Sequence, residues 1–205
     1  MTQFLDIPVD GFKPEMIKKL KSKGYTIKQC KDILEGEFNG TDVNIGIATN
    51  NNKVWRIAVM DANYTDEINI KIRFNNIIQQ FMNNERYITE PDSTITKYTI
   101  PKEDDISYEI TVNKKRFEAV FYQKYIKKDS LSRELKRKKR PSLKKKDSLT
   151  DKDFEILQPL IADLVAESLN SINKQVWFMI DRKYGKYRIL MFYKNEYNKA
   201  DGSGL

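Results

Sequence analysis

The chain has 205 residues, 40% of them hydrophobic and 32% charged, with eleven Tyr, ten Phe and two Trp; that is enough apolar material for one large domain or two small ones, and it excludes a wholly disordered chain. One cysteine and no histidine exclude an intrachain disulfide, a cysteine-based zinc site and every Ser-His or Cys-His catalytic arrangement. The net charge of +8 is uneven, because residues 124–147 hold twelve Lys/Arg against three Asp/Glu and leave 25 basic and 26 acidic residues elsewhere; the basic character belongs to one segment, not to the folded body.

Along the chain, Phe4, Leu5, Ile7 and Val9 predict a short extended segment. Pro14 and Glu15 then suit a helix N-terminus, Met16, Ile17 and Leu20 share one face, lysines crowd the last turn and Gly24 supplies the stop, so a helix of roughly ten residues is expected. The Asn39-Gly40 pair between apolar stretches signals a hairpin. Val43, Ile45 and Ile47 alternate with Asn44, Gly46 and Ala48, Asn50-Asn51-Asn52 is a turn, and 54–60 resumes the period of two with Trp55, Ile57 and Val59 on one side. The reading to this point is a helix and a three-stranded antiparallel meander.

A second helix is expected over 66–83, with Ile70, Phe74, Ile77, Ile78 and Phe81 as its apolar stripe and Thr65 as its cap. Strands are expected over 96–100, 106–112 and 117–122, the last two joined as a hairpin through Asn113-Lys114-Lys115. Because Tyr108, Ile110 and Val112 alternate with Glu109 and Thr111, one face of that hairpin is expected to be wet. Residues 124–148 break the pattern and read as a basic mobile linker. A capping-box-like start at 150–153 opens a third helical face through Phe154, Leu157, Ile161, Leu164, Val165 and Leu169, interrupted by Pro159. Two strands, 176–180 and 187–193, close the fold around a turn at Tyr184-Gly185-Lys186. Their consecutive apolar residues predict central strands covered on both faces; 195–205 reads as a polar tail.

The expected fold class is therefore α+β: an antiparallel sheet of meanders alternating with helices, in the order helix-β3, helix-β3, helix-β2, with the helices on one face. Residues 1–123 supply the first two units, and 149–194 complete the same domain. No apolar run approaches the roughly 18 residues of a membrane span, and the first residues have neither a basic start nor an apolar stretch, so the expected compartment is cytoplasmic.

Several stretches carry a likeness together: 4–11, 16–25, 34–40, 50–57, 106–112, 176–180 and 184–198. They resemble a family of uncharacterised proteins common in gut Bacteroidetes, over most of the chain except 124–148. The resemblance implies no site residues; because some members begin with a secretory signal, it implies a periplasmic or secreted location as the alternative compartment. A helix followed by a meander, repeated, is also similar to the β-lactamase-inhibitor-protein-like fold and to the small outer-membrane assembly lipoproteins, which implies binding of other proteins.

Chemistry-bearing residues are sparse. The basic segment offers Lys136, Arg137, Lys138, Lys139, Arg140, Lys144, Lys145 and Lys146 as candidate contacts to phosphates of a nucleic acid or to an anionic membrane surface, although with only Tyr125 near its start it lacks aromatics to stack on bases. Cys30, flanked by Lys31, has no base to make it a nucleophile. The acidic pairs at Glu35/Glu37 and Glu103-Asp104-Asp105 lack calcium-loop spacing, and no glycine pattern cradles a phosphate. The aromatic C-terminal hairpin, with Trp177, Phe178, Tyr184, Tyr187, Phe192 and Tyr193, reads as sheet core or as a protein-binding face, with Tyr184, Tyr187 and Tyr193 as the candidate protein-interface residues. The expected function is non-enzymatic, with no cofactor and no metal: binding of another protein through a sheet face, or else binding of nucleic acid or an anionic surface through 124–147.

Overall fold

The computed structural model describes residues 1–28, 32–89, 98–124 and 174–200. The first strands, β1 (Gln3–Phe4) and β2 (Ile7–Pro8), form a small hairpin of their own. Helix α1 (Lys13–Ser22) follows, with a proline in its first turn and Glu15 near its positive end, and it buries Met16 and Leu20. Gly24, at φ +96°, turns the chain out of the helix, a conformation that costs glycine little.

All other strands among the described residues belong to one antiparallel sheet. They are β3 (Thr26–Ile27), β4 (Ile33–Phe38), β5 (Thr41–Asn50), β6 (Lys53–Asp61), β7 (Tyr87–Ile88), β8 (Glu118–Gln123), β9 (Gln175–Lys183) and β10 (Lys186–Lys194). Their spatial order is β3-β4-β5-β6-β10-β9-β8-β7. Each half of the sheet thus holds four strands in chain order, preceded by a helix, and the last strand of each half lies at the centre. Met60 to Arg56 of β6 pair with Leu190 to Lys194 of β10 along this seam. The α+β class with an antiparallel sheet holds.

Helix α2 (Glu67–Asn83) lies on the same face as α1. Its buried residues are the expected stripe, Ile70, Phe74, Ile77, Ile78 and Phe81, and they join Met16, Leu20, Phe4, Ile57, Phe121, Phe178 and Tyr193 in one core. Phe81, Phe121 and Phe178 pack ring against ring at 4.8–6.0 Å. A fully buried ring of this size stabilises by about 2–3 kcal/mol. The cap of α2 is Asp66, whose carboxylate accepts from Asn69 N at 2.9 Å, and not Thr65. The Thr65 backbone is instead bridged to Tyr187 in both directions, which fixes the start of α2 to the sheet. At the core edge, Asp61 takes two hydrogen bonds from Arg73 of α2, at 2.6 and 2.7 Å, and one from Ile189 N at 3.0 Å, so its charge is matched on every side.

Two expected strands are corrected. Residues 106–112 form helix α3 (Ile106–Thr111), not a strand. Asp105 caps it by accepting from Tyr108 N, and Glu67 of α2 accepts from Ile106 N. With Ile106 as its buried residue and Tyr108 and Val112 exposed, its period-two pattern faces no sheet. The expected hairpin at 113–115 is therefore a helix exit, with Lys114 at φ +56°. Residues 98–100 are not strand either. Both backbone hydrogen-bonding groups of Ile100 go to the Asn75 side chain, at 2.8 Å each, and none is left for a ladder. The rest of 96–100, the basic linker beyond Lys124, the third expected helix and 201–205 lie outside the described residues. The start of the expected tail is packed: Asn195 donates to Val9 O and Asn198 donates to Val54 O and Asp10.

Candidate functional site

A sheet strand shows alternate side chains to opposite faces, and the register assigns each one. The helix-bearing face takes Ile57, Val59, Tyr187, Ile189, Met191, Tyr193, Val176 and Phe178, all buried. The opposite face takes a band of half-buried residues that run across four strands. One row is Ala58, Phe192, Trp177 and Val120; the next is Met60, Leu190 and Met179. Strands β9 and β10 are central, as expected, but their second face is half-buried rather than fully covered.

A third row carries charge. Arg56 of β6 pairs in register with Lys194 of β10. A register shift after Ala48 leaves Trp55 as an extra residue in β6, and such a bulge swings neighbouring side chains toward the same side. The Arg56 guanidinium stands 4.0 Å from the Trp55 ring centre and 5.3 Å from that of Phe192. The Lys194 ammonium lies 5.1 Å from the Trp177 ring, and Trp177 stacks on Phe192 at 4.4 Å. The result is a ladder of alternating cations and rings. Burial pulls both cations down from their ordinary pKa values; Glu196 opposes this for each, and Arg56 adds to it for Lys194. Two donors of the ladder, Arg56 Nε and Trp177 Nε1, are shielded from solvent and have no hydrogen-bond partner among the described residues. Unpaired buried donors are costly.

At its other end the band closes with Arg188, which pairs with Asp181 at 2.8 Å and lies over the Tyr64 ring at 4.6 Å. The Tyr64 hydroxyl donates to Asp181 at 3.1 Å; burial first, then that hydrogen bond, raise its pKa.

Of the residues expected at a protein interface, only Tyr184 is exposed, at 93%, on the β9–β10 turn. Tyr187 and Tyr193 are corrected: they are 2% and 4% exposed and stand on the helix-bearing face, because they share the parity of Ile189 and Met191. The phosphate-contact candidates Lys136, Arg137, Lys138, Lys139, Arg140, Lys144, Lys145 and Lys146, like Cys30, lie outside the described residues. Three of the acidic groups make structural contacts. Glu35 pairs with Lys28, Asp104 with Lys115, and Asp105 caps α3. Among the described residues no group of three or more acidic, His or Cys side chains could hold a metal ion, and no helix is long and apolar enough to cross a membrane. Missed by sequence reasoning were Trp55, Arg56 and Lys194, and the ladder they form with Trp177 and Phe192; the signal that could have found them is Arg188 and Lys194 at the two ends of the set Arg188, Leu190, Phe192, Lys194, which marks that parity as outward.

No protein-family model, curated protein or solved structure matches the chain.

Proposed function

We propose that the chain is a non-enzymatic binding protein whose sheet face opposite α1 and α2 takes an acidic, apolar-bearing segment of another protein. The observation that carries the reading is the ladder of Trp55, Arg56, Phe192, Trp177 and Lys194. Aromatic residues and Arg are the types enriched where interfaces concentrate their binding energy. Two partly desolvated cations side by side, with Glu196 as the opposing carboxylate, favour an anionic group brought by the partner. The non-enzymatic part rests on the absence of histidine from the sequence.

The test is a photo-crosslinking amino acid placed at Leu190, in the centre of the band, and at Ile72, on the solvent side of α2, in cells that express the chain. A discrete protein adduct from 190 and none from 72 is expected, and Arg56→Glu with Lys194→Glu should remove it. Adducts that ignore those two reversals would sink the proposal. A second reading, nucleic-acid binding through 124–147, is favoured by the local excess of twelve basic over three acidic residues. Its signature is oligonucleotide binding that weakens steeply with salt and is indifferent to Leu190→Lys.

A further inference from the structure

On the helix-bearing side of the sheet, a cleft of about 550 Å³ opens between the C-terminal ends of α1 and α2, within the size range of small-molecule sites. Met191 and Tyr193 of β10 line it, with Leu5 and Phe38 as further apolar walls. Its rings already pack on other rings, Phe38 on Phe4 at 5.3 Å and Phe81 on Tyr87 at 4.6 Å, so the walls offer a ligand hydrocarbon surface.

The polar groups decide what head that ligand carries. The Gln123 amide is fixed by the Gln3 backbone: Gln3 N donates to its Oε1 and its Nε2 donates to Gln3 O, both at 2.7 Å. The same Nε2 therefore meets the Tyr87 hydroxyl as a donor, at 3.1 Å. Tyr193 donates to that hydroxyl as well. With two donors on its oxygen, Tyr87 keeps its own proton to give, and no acceptor takes it among the described residues. Asn84 sits beside it, its backbone oxygen accepting from Tyr87 N at 2.9 Å. The Asn84 side-chain oxygen accepts from Arg86 N at 3.0 Å, which leaves the amide nitrogen as a second open donor. Three backbone acceptors around the cleft are already taken: Leu20 O by Lys23 N and Tyr25 N, Phe81 O by Asn84 N, and Glu37 O by the Tyr25 hydroxyl. Asn39 and Gln80 hydrogen-bond each other at 2.7 Å.

Charge points the same way. Glu37 borders the cleft through its backbone. Its carboxylate stands on the outer sheet face, because Leu34, Gly36 and Phe38 share the parity that faces the helices. Lys23, exposed and without an ion-pair partner among the described residues, is then the one charged side chain of those residues at the lip.

We propose that this cleft binds a monocarboxylic acid with a short apolar body, its carboxylate taken by the Tyr87 hydroxyl and the Asn84 amide under the charge of Lys23, and its body lying against Leu5, Phe38 and Met191. The site is independent of the outer sheet face, and neither needs the other.

The test compares octanoate with octylammonium, the same tail with the opposite charge, by calorimetry and by shifts in the protein's NMR spectrum. Octanoate is expected to bind at least about tenfold tighter, the order of a hydrogen bond to a charged group, and to shift the amides of Asn84, Tyr87 and Met191. Lys23→Glu should weaken octanoate about fivefold and tighten octylammonium, the size of exposed charge effects. Lys183→Glu, an equal charge change on the exposed β9–β10 turn, should do neither. Both lysines are exposed, so neither change endangers folding. Tyr87→Phe keeps the ring and should cost octanoate about tenfold, with unchanged shifts away from the cleft as its folding control. Equal binding of octylammonium, no saturable binding of octanoate, shifts confined to Trp177 and Leu190 of the outer face, or equal effects of the two lysine reversals would each overturn the proposal.

Discussion

Single residues set sharp limits on what this fold tolerates. Tyr193 is buried in the core, and burial pushes its phenol pKa well above the ordinary 10. The unfolded chain ionises that phenol near pH 10 while the folded chain keeps it neutral. Its contribution is therefore intact below about pH 10 and is lost as pH rises beyond it. Tyr25 and Tyr87 are raised in the same direction by burial and add to the slope. Tyr193→Phe should cost about 1 kcal/mol at pH 7, where the hydrogen bond to Tyr87 is lost. Above pH 10 it should lose less stability per pH unit than the parent, as urea midpoints across pH 8 to 11 would show. Gly36 is a second limit. A Cβ there would stand 2.6 Å from the Tyr25 ring, which the tyrosine cannot vacate while it donates to Glu37 O. Gly36→Ala should destabilise by about 1–3 kcal/mol, and Tyr25→Leu in the same chain should remove most of that penalty in a double-mutant cycle.

Elements obey turn chemistry before they obey hydrophobic pattern. Four two-residue hairpin turns have positive φ at both positions: Leu5-Asp6, Asn39-Gly40, Asn51-Asn52 and Tyr184-Gly185. Their backbone twist matches that of the strands they join. Asn39-Gly40 and the asparagine run were legible in the sequence for this reason. Leu5-Asp6 was not, because leucine gives no sign of a left-handed turn. Tyr184 pays for its φ of +50° with almost no packing, being 93% exposed beside Lys183. Tyr184→Asn should stabilise the hairpin by about 0.5–1 kcal/mol, since asparagine adopts that backbone more readily; a rise in the thermal midpoint checks it. If adduct formation from position 190 survives the same change, Tyr184 is no part of the interface. Helix α3 shows the converse failure. Tyr108, Glu109, Ile110, Thr111 and Val112 alternate like a strand, but the caps from Asp105 and Glu67 supply hydrogen bonds that no pattern of hydrophobicity encodes. The outer ladder escaped for a similar reason. Consecutive apolar residues in β9 and β10 look covered on both sides, and beyond the charges of Arg188 and Lys194 it is the pairing register that separates the two sets.

At the scale of the whole molecule, the two halves join through one seam. The chain runs from α1 through β3–β6 and from α2 through β7–β10, and β6 and β10 pair at the centre. The closing contact therefore joins residues 56–60 to 190–194, a large sequence separation that makes the seam late to form. Once formed, it is flanked by strands on both sides and covered by α2. Both sheet edges, by contrast, are two-residue strands, β3 and β7, short edges that offer little template for pairing with another copy. These features rank local stability. Backbone amides of Ile57, Val59, Met191 and Tyr193 should exchange with solvent only by global unfolding, while those of Ile27 and Ile88 exchange by fraying, at rates at least about a thousandfold faster. Native-state hydrogen exchange read by NMR measures both classes together. If the β10 amides instead open at a lower free energy than those of β5, the halves separate before either unfolds, and the seam is a hinge rather than the centre of the core. That outcome would also change the outer face, because Arg56 and Phe192 stand on opposite sides of the seam. An opening that parts them would dissolve the cation–ring ladder, so a partner seated there should slow exchange at β6 and β10 together.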